Sequence, residues 1–233
     1  MIERPHVVIG MPHYGPVEAG AAVRFVQHEV QTIASVTGVR SCTSCLPRAF
    51  NECLIHALNL RDSGQATHFA MIHADIEPQR ADWLDVLYDR MRAFRLDMIS
   101  AIVPIKDPKP WRTSTAIGKI DQPWYPDRFI RIDDRKRLPE TILPEDVCQD
   151  GEELLVNTGL WLADLRRPWW DKFDGFVFLN RITRDTDGSR IEQFRPEDWE
   201  LSRHMRKHKA RYGATWAVRV KHRGNGEWDS HDD

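Results

Sequence analysis

The sequence predicts an α/β protein with a mainly parallel central sheet flanked by helices, and three observations carry that expectation. Short apolar runs suited to strands buried on both faces recur at residues 6–11, 69–72 and 97–103. Stretches with helical spacing of apolar residues separate them, and strands alternating with helices are the pattern of a parallel sheet. With 233 residues, the chain fits one large domain. We expect that domain to cover residues 1–223. It divides into a first half (1–103), a loop-rich excursion (104–152) and a second half (153–223), followed by a tail (224–233).

Residues 6–11 read as the first strand. Pro12, Tyr14 and Gly15 occupy the loop after it, where glycine permits close backbone approach to a ligand. That loop reads either as a cradle for a nucleotide base and ribose or as an ordinary Pro/Gly turn. Residues 17–36 read as mostly helical, with a short second strand near residues 30–35 left open. Pro47 opens a helix to about Leu60, with Phe50, Leu54, Ala57 and Leu58 on one face. Arg48 and Asn51 fall in its first turn, and helix N-termini attract phosphate.

The strand at residues 69–72 and the three residues just past its end are the most informative stretch. His73 and Asp75 share a face of the extended chain, with the small Ala74 between them. Ligands of open α/β sheets bind just beyond the carboxyl ends of strands. An imidazole and a carboxylate aimed together there suit a divalent cation, manganese above magnesium because it accepts both nitrogen and oxygen. The alternative is a helix-capping Asp75 beside an ordinary histidine.

A helix is predicted over residues 81–94 from Trp83, Leu87, Met91 and Phe94, and a strand over 97–103. Prolines then interrupt residues 104–144, where Trp111, Trp124 and Tyr125 alternate with Lys106, Lys109, Arg112 and Lys119. This segment reads as the acceptor side of a cleft or as a wrapped surface loop. Residues 154–156 return to the core and lead to Asn157, Thr158 and Gly159. Further on, Pro196 suits a first helical position, and Asp198, Leu201 and Met205 share one face. A carboxylate on an inward face needs a partner or a task. Eight basic residues and no acidic one lie between Arg203 and Arg223, which is either a solvated face or a footprint for phosphates. A last strand over 214–220 delivers Lys221 and His222, and the acidic tail is expected to fray.

Taken together, these motifs resemble the nucleotide-sugar glycosyltransferases of the GT-A fold, in their small family 2-like form. His73-Ala74-Asp75 is similar to the family's Asp-x-Asp metal site, with histidine replacing the first aspartate. Pro47-Arg48-Ala49-Phe50-Asn51 partly matches a Pro-x-Arg-Asn element. Asn157-Thr158-Gly159 resembles a donor-sugar turn, and Glu197-Asp198 an element whose aspartate accepts the acceptor's proton. The resemblance implies Mn2+ (or Mg2+) held by Asp75 and His222, with His73 as a further ligand or behind them. It implies donor contacts at Pro12, Tyr14, Gly15, Arg48, Asn51, His73, Ala74, Asn157, Gly159 and Lys221, with Asp198 as general base. A base implies inversion, although the Asn157 turn also resembles retaining families.

The donor expected from the resemblance is a UDP-sugar. The acceptor placed first is a hydroxymethylated pyrimidine in DNA, as in some phage enzymes; a saccharide or other small acceptor stands second. A different class of function is a non-catalytic nucleic-acid-binding module with zinc on Cys42, Cys45, Cys53 and His56, whose spacing loosely imitates a zinc motif. The net charge of −2 argues neither for nor against a polyanionic partner, and the 41% hydrophobic content is that expected of a soluble globular protein. No run is long enough to span a membrane, and residues 1–5 lack a signal-peptide core, so the expected location is the cytoplasm.

Overall fold

A computed structural model of the protein describes residues 5–31, 35–106, 112–122, 124–224 and 226–231. The chain opens with β1 (His6–His13), α1 (Ala19–Gln31), β2 (Ser35–Cys42), α2 (Leu46–Asp62) and β3 (His68–Ile72). A short β4 (Ile76–Pro78), α3 (Trp83–Ala93) and β5 (Met98–Ala101) come after them. Next are β6 (Arg112–Lys119), β7 (Pro126–Arg131), β8 (Thr141–Ile142), the single turn α4 (Pro144–Val147), β9 (Glu152–Leu155) and β10 (Leu160–Asp164). The last third carries β11 (Leu179–Arg184), β12 (Arg190–Arg195), α5 (Glu197–Lys207), β13 (Tyr212–Thr215), β14 (Val220–Arg223) and β15 (Glu227–Asp229).

Seven strands form the central sheet in the order β2-β1-β3-β10-β5-β13-β8. Five run one way, while β10 and β8 lie antiparallel to their neighbours. Alternation along β1 sends Val8 toward Phe50 and Leu54 of α2, and Ile9 and Met11 toward Phe25 of α1 and Trp83 and Leu87 of α3. Helices therefore cover both faces, and each large side chain so buried contributes about 1.5–3 kcal/mol. The chain steps from β1 outward to β2, then back across β1 to β3. That reversal leaves a crevice at the carboxyl ends of β1 and β3, the place where such sheets bind ligands.

Several expectations need correction. Ser35–Cys42 is a full edge strand, missed because its polar, half-exposed sequence carries no apolar run. The supposed loop excursion contains β6 and β7, and β6 pairs with β7 and β9 in a three-stranded antiparallel sheet; Trp111, Lys109 and the prolines at 108, 110 and 123 lie outside the described residues. The single last strand is two, β13 in the central sheet and β14 in a separate one with β4 and β15. The tail is not frayed where described: Asp229 and Ser230 are buried, and Asp229 accepts both Nε and Nη2 of Arg219. Asn225 and the last two residues are not among those described. Trp83, Trp161, Trp169, Trp170 and Trp216 are buried in the core.

Candidate active site

Strand β3 is buried along its whole length, so the first residues free to meet a ligand are those just past its end. His73 is fixed there by its backbone N–H, which donates to the Gly159 carbonyl at 2.9 Å. Its ring packs on Phe50 with centroids 4.9 Å apart. Burial pushes its imidazole down to about 4. Its Nε2 is buried without a hydrogen-bond partner.

Two positions on, β4 pairs with β14 so that His222 lies opposite Ile76, and the Arg223 N–H donates to the Asp75 carbonyl at 2.8 Å. This pairing joins distant parts of the chain. His222 Nδ1 donates to the Pro104 carbonyl at 2.7 Å, which leaves Nε2 as the ring nitrogen turned to the cleft. That nitrogen stands 3.4 Å from Asp75 Oδ2. Lys106 Nζ donates to the same oxygen at 2.5 Å. Burial alone would raise the Asp75 carboxyl, but His222, His73 and Lys106 outweigh it and hold the group well below the usual carboxylate range.

Beside this centre, Arg223 is oriented by Glu77, whose Oε2 accepts its Nε at 2.9 Å and its Nη2 at 2.7 Å. Glu227 takes the third nitrogen. The cleft so formed has a volume of 260 Å3, and its walls include Pro12, Tyr14, Ala74, Asp75, Lys106 and Arg223. Tyr14 stands 74% exposed at its mouth, and Gly15 turns the loop at φ +83°, where a side chain is strained.

The remaining candidates are held elsewhere. Arg48 is 71% exposed and pairs with Glu52 one helical turn away. Asn51 is spent on the backbone of Phe176, donating to its carbonyl at 3.0 Å and accepting from its N–H at 2.7 Å. Asn157 is 2% exposed; it donates to the Ala101 carbonyl and accepts from the Gly159 N–H. Its amide therefore shapes the turn instead of facing the cleft, and Gly159 contributes its carbonyl to His73. Lys221 pairs with Glu227 on β15 and is not among the residues that line the cleft.

The same turn reaches the second acidic group. Thr158 Oγ1 donates to Glu197 Oε1 at 2.9 Å, tying the start of α5 to the loop that holds His73. Glu197 is buried and Asp198 is half-buried. Burial raises both carboxyls; the neighbouring Glu197 raises Asp198 further, against one hydrogen bond from the Trp199 N–H at 2.8 Å. Sequence reasoning missed Glu77 and Arg223 as site residues, and named Lys106 and Glu197 without the contacts they make here. Residues 73–76 form a turn closed by the Ile76 N–H on the His73 carbonyl at 3.1 Å, not the extended chain expected of His73 and Asp75, so strand alternation does not set which way those side chains point.

Among the described residues, no three His, Cys, Asp or Glu side chains converge tightly enough to hold a metal by themselves. Cys53 is in the core while Cys42, Cys45 and His56 are exposed, so the zinc arrangement does not form. Asp75 and His222 fit a different case. Two cis ligands with bonds of about 2.1 Å lie about 3–3.5 Å apart, and divalent ions in nucleotide sites take only one or two protein ligands plus phosphates. The 3.4 Å separation, an Nε2 turned to the carboxylate and the orphaned His73 nitrogen suit such an ion.

No family model and no curated protein matches the chain. Among solved structures it is similar to A197 from STIV, with a TM-score of 0.51 and 13% identity over 94% of this chain and 86% of that one. UDP-glucose phosphorylase from Trypanosoma brucei aligns with a TM-score of 0.47 and 9% identity, over 91% of this chain and 60% of that one. A variant of UDP-glucose pyrophosphorylase from Leishmania major in complex with UDP-Glc aligns at 0.41 and 9%, over 84% and 59%. The chain thus spans about three fifths of those two enzymes, and these weaker similarities carry no functional weight. The likeness to A197 is one of fold, an α/β architecture around a large, mostly parallel sheet.

Proposed function

We propose that the protein is a glycosyltransferase of GT-A type, taking a sugar from a nucleoside diphosphate donor to an acceptor hydroxyl. The observation that carries this reading is the meeting of Asp75 Oδ2 and His222 Nε2 at 3.4 Å, with Lys106 and Arg223 beside them, at the strand-order reversal. Asp75 and His222 would hold Mn2+ or Mg2+, with His73 behind, and the ion would neutralise charge on the departing diphosphate. Arg223, locked by Glu77 and Glu227, faces the same cleft as a fixed cation for phosphate oxygens. Pro12 and Tyr14 line the wall assigned to the base and ribose, and Gly15 turns the loop that carries them.

Asp198 is the proposed general base. A raised carboxyl is a stronger base once ionised and suits removal of a hydroxyl proton near neutral pH. For the acceptor, the pairing of the basic run favours a saccharide or other small hydroxyl over hydroxymethylated DNA. Arg203 and Arg206 both hold the buried Glu153, and Arg219 and Lys221 hold Asp229 and Glu227. The test is a thermal-shift and calorimetric screen of nucleoside diphosphates and their sugars with and without Mn2+. Transfer assays on saccharides and on hydroxymethylated duplexes complete it. Metal-dependent stabilisation by one nucleotide is expected; no stabilisation by any nucleotide would remove the reading, and labelled DNA would reverse the acceptor order.

A further inference from the structure

We propose that Lys106 is a resident cation that occupies Asp75 until a diphosphate arrives and then moves to the phosphates, making metal uptake conditional on the nucleotide. The inference rests on the reading of this cleft as a nucleoside diphosphate site. Its basis is a conflict over one atom. Lys106 Nζ and His222 Nε2 both face Asp75 Oδ2, at 2.5 and 3.4 Å. A divalent cation bound to that oxygen sits about 2.1 Å from it, which brings it against the ammonium. Like charges at such a separation repel strongly in a half-buried site. An anion between them removes the conflict, and a diphosphate is such an anion.

The two cations of the cleft are built differently. Arg223 is gripped by Glu77 and Glu227 across two strands, so it stays in place. Lys106 reaches Asp75 on a flexible stem that lies over Gly224, where a Cβ would stand 3.3 Å from its Cδ and 3.4 Å from its Cε and Nζ. Only glycine at this position lets the stem lie so close to the backbone, and a lysine ammonium is a mobile point charge. One cation is a fixture; the other is free to exchange partners.

Mn2+ titration followed by electron paramagnetic resonance, with and without UDP, tests this on the full chain. Wild type should bind Mn2+ weakly alone and about tenfold more tightly with UDP. Lys106→Gln should bind Mn2+ without UDP about tenfold more tightly than wild type and gain less from the nucleotide. Lys106→Arg, which keeps the charge, should follow wild type in the metal-only arm. Circular dichroism and thermal melts establish that each variant is folded. Equal nucleotide-free Mn2+ affinity in wild type and Lys106→Gln overturns the proposal, as does no Mn2+ binding by either. Tight metal binding in Lys106→Gln without any UDP response upholds the competition at Asp75, while the nucleotide reading falls on its own.

Discussion

Asp75 and Asp198 are the same side chain in opposite surroundings. Asp75 faces an ammonium and two imidazoles, which hold its carboxyl far down despite burial. Asp198 lies beside Glu197, and burial with a like charge drives it up. The turn at residues 157–159 ties the two regions together, gripping His73 through Gly159 and Glu197 through Thr158. Two carboxyls pushed apart by their neighbours are the arrangement that lets one stay an anion for a cation while the other exchanges a proton. The lesson is that residue type supplies a carboxyl and the packed neighbours decide its job.

Breaking the comparison at its basic end should have the largest effect. Asp198→Asn is expected to lower turnover by about 10²- to 10⁴-fold while the nucleotide thermal shift survives; parallel loss of both would make Asp198 a structural residue. At the other end, Asp75→Asn should lower turnover by about 10²- to 10³-fold and also abolish the Mn2+-dependent part of nucleotide binding, measured by calorimetry. Retained metal dependence would remove Asp75 from the ion.

A buried base extends the comparison to a third environment. Burial pushes His68, 2% exposed, down to about 4. The unfolded imidazole takes a proton near pH 6.5 but the folded one only near 4, so stability is lost as pH falls through that window. The loss is up to about 3 kcal/mol. Urea unfolding at several pH values should show a shallower decline for His68→Asn than for wild type, and identical slopes would refute the assignment. The smallest effect is expected from Glu197→Gln. Removing that charge lowers Asp198, so the acidic limb of the pH–rate profile should move to lower pH while the fold is kept; an unmoved limb would uncouple the pair.

Much of the first half was legible because its signals are local. The runs in β1, β3 and β5 announced buried strands, and the pause after Ile72 marked the strand end that carries Asp75. What escaped was set by pairing between distant segments. β2 lies at a sheet edge, where polar residues suffice, and β6 and β7 hide among prolines and charges. Lys106 looked like one basic residue in a loop, and nothing in its neighbours along the chain announces Asp75. Asn51 and Asn157 failed in the other direction: their motifs fit ligand contacts, but the fold uses their amides on its own backbone.

By itself, the sequence determined which segments are buried and where β3 must release the chain, and it named candidate side chains for a metal and for a proton. Periodicity and composition act over a few residues, so they survive without coordinates. Only the tertiary structure decided that His222 meets Asp75, that Lys106 takes the same oxygen, and that five of the eight basic residues in the C-terminal run are matched with carboxylates. Those facts depend on strand register and on electrostatic neighbours, and electrostatic energy is set by distance in space rather than by position along the chain.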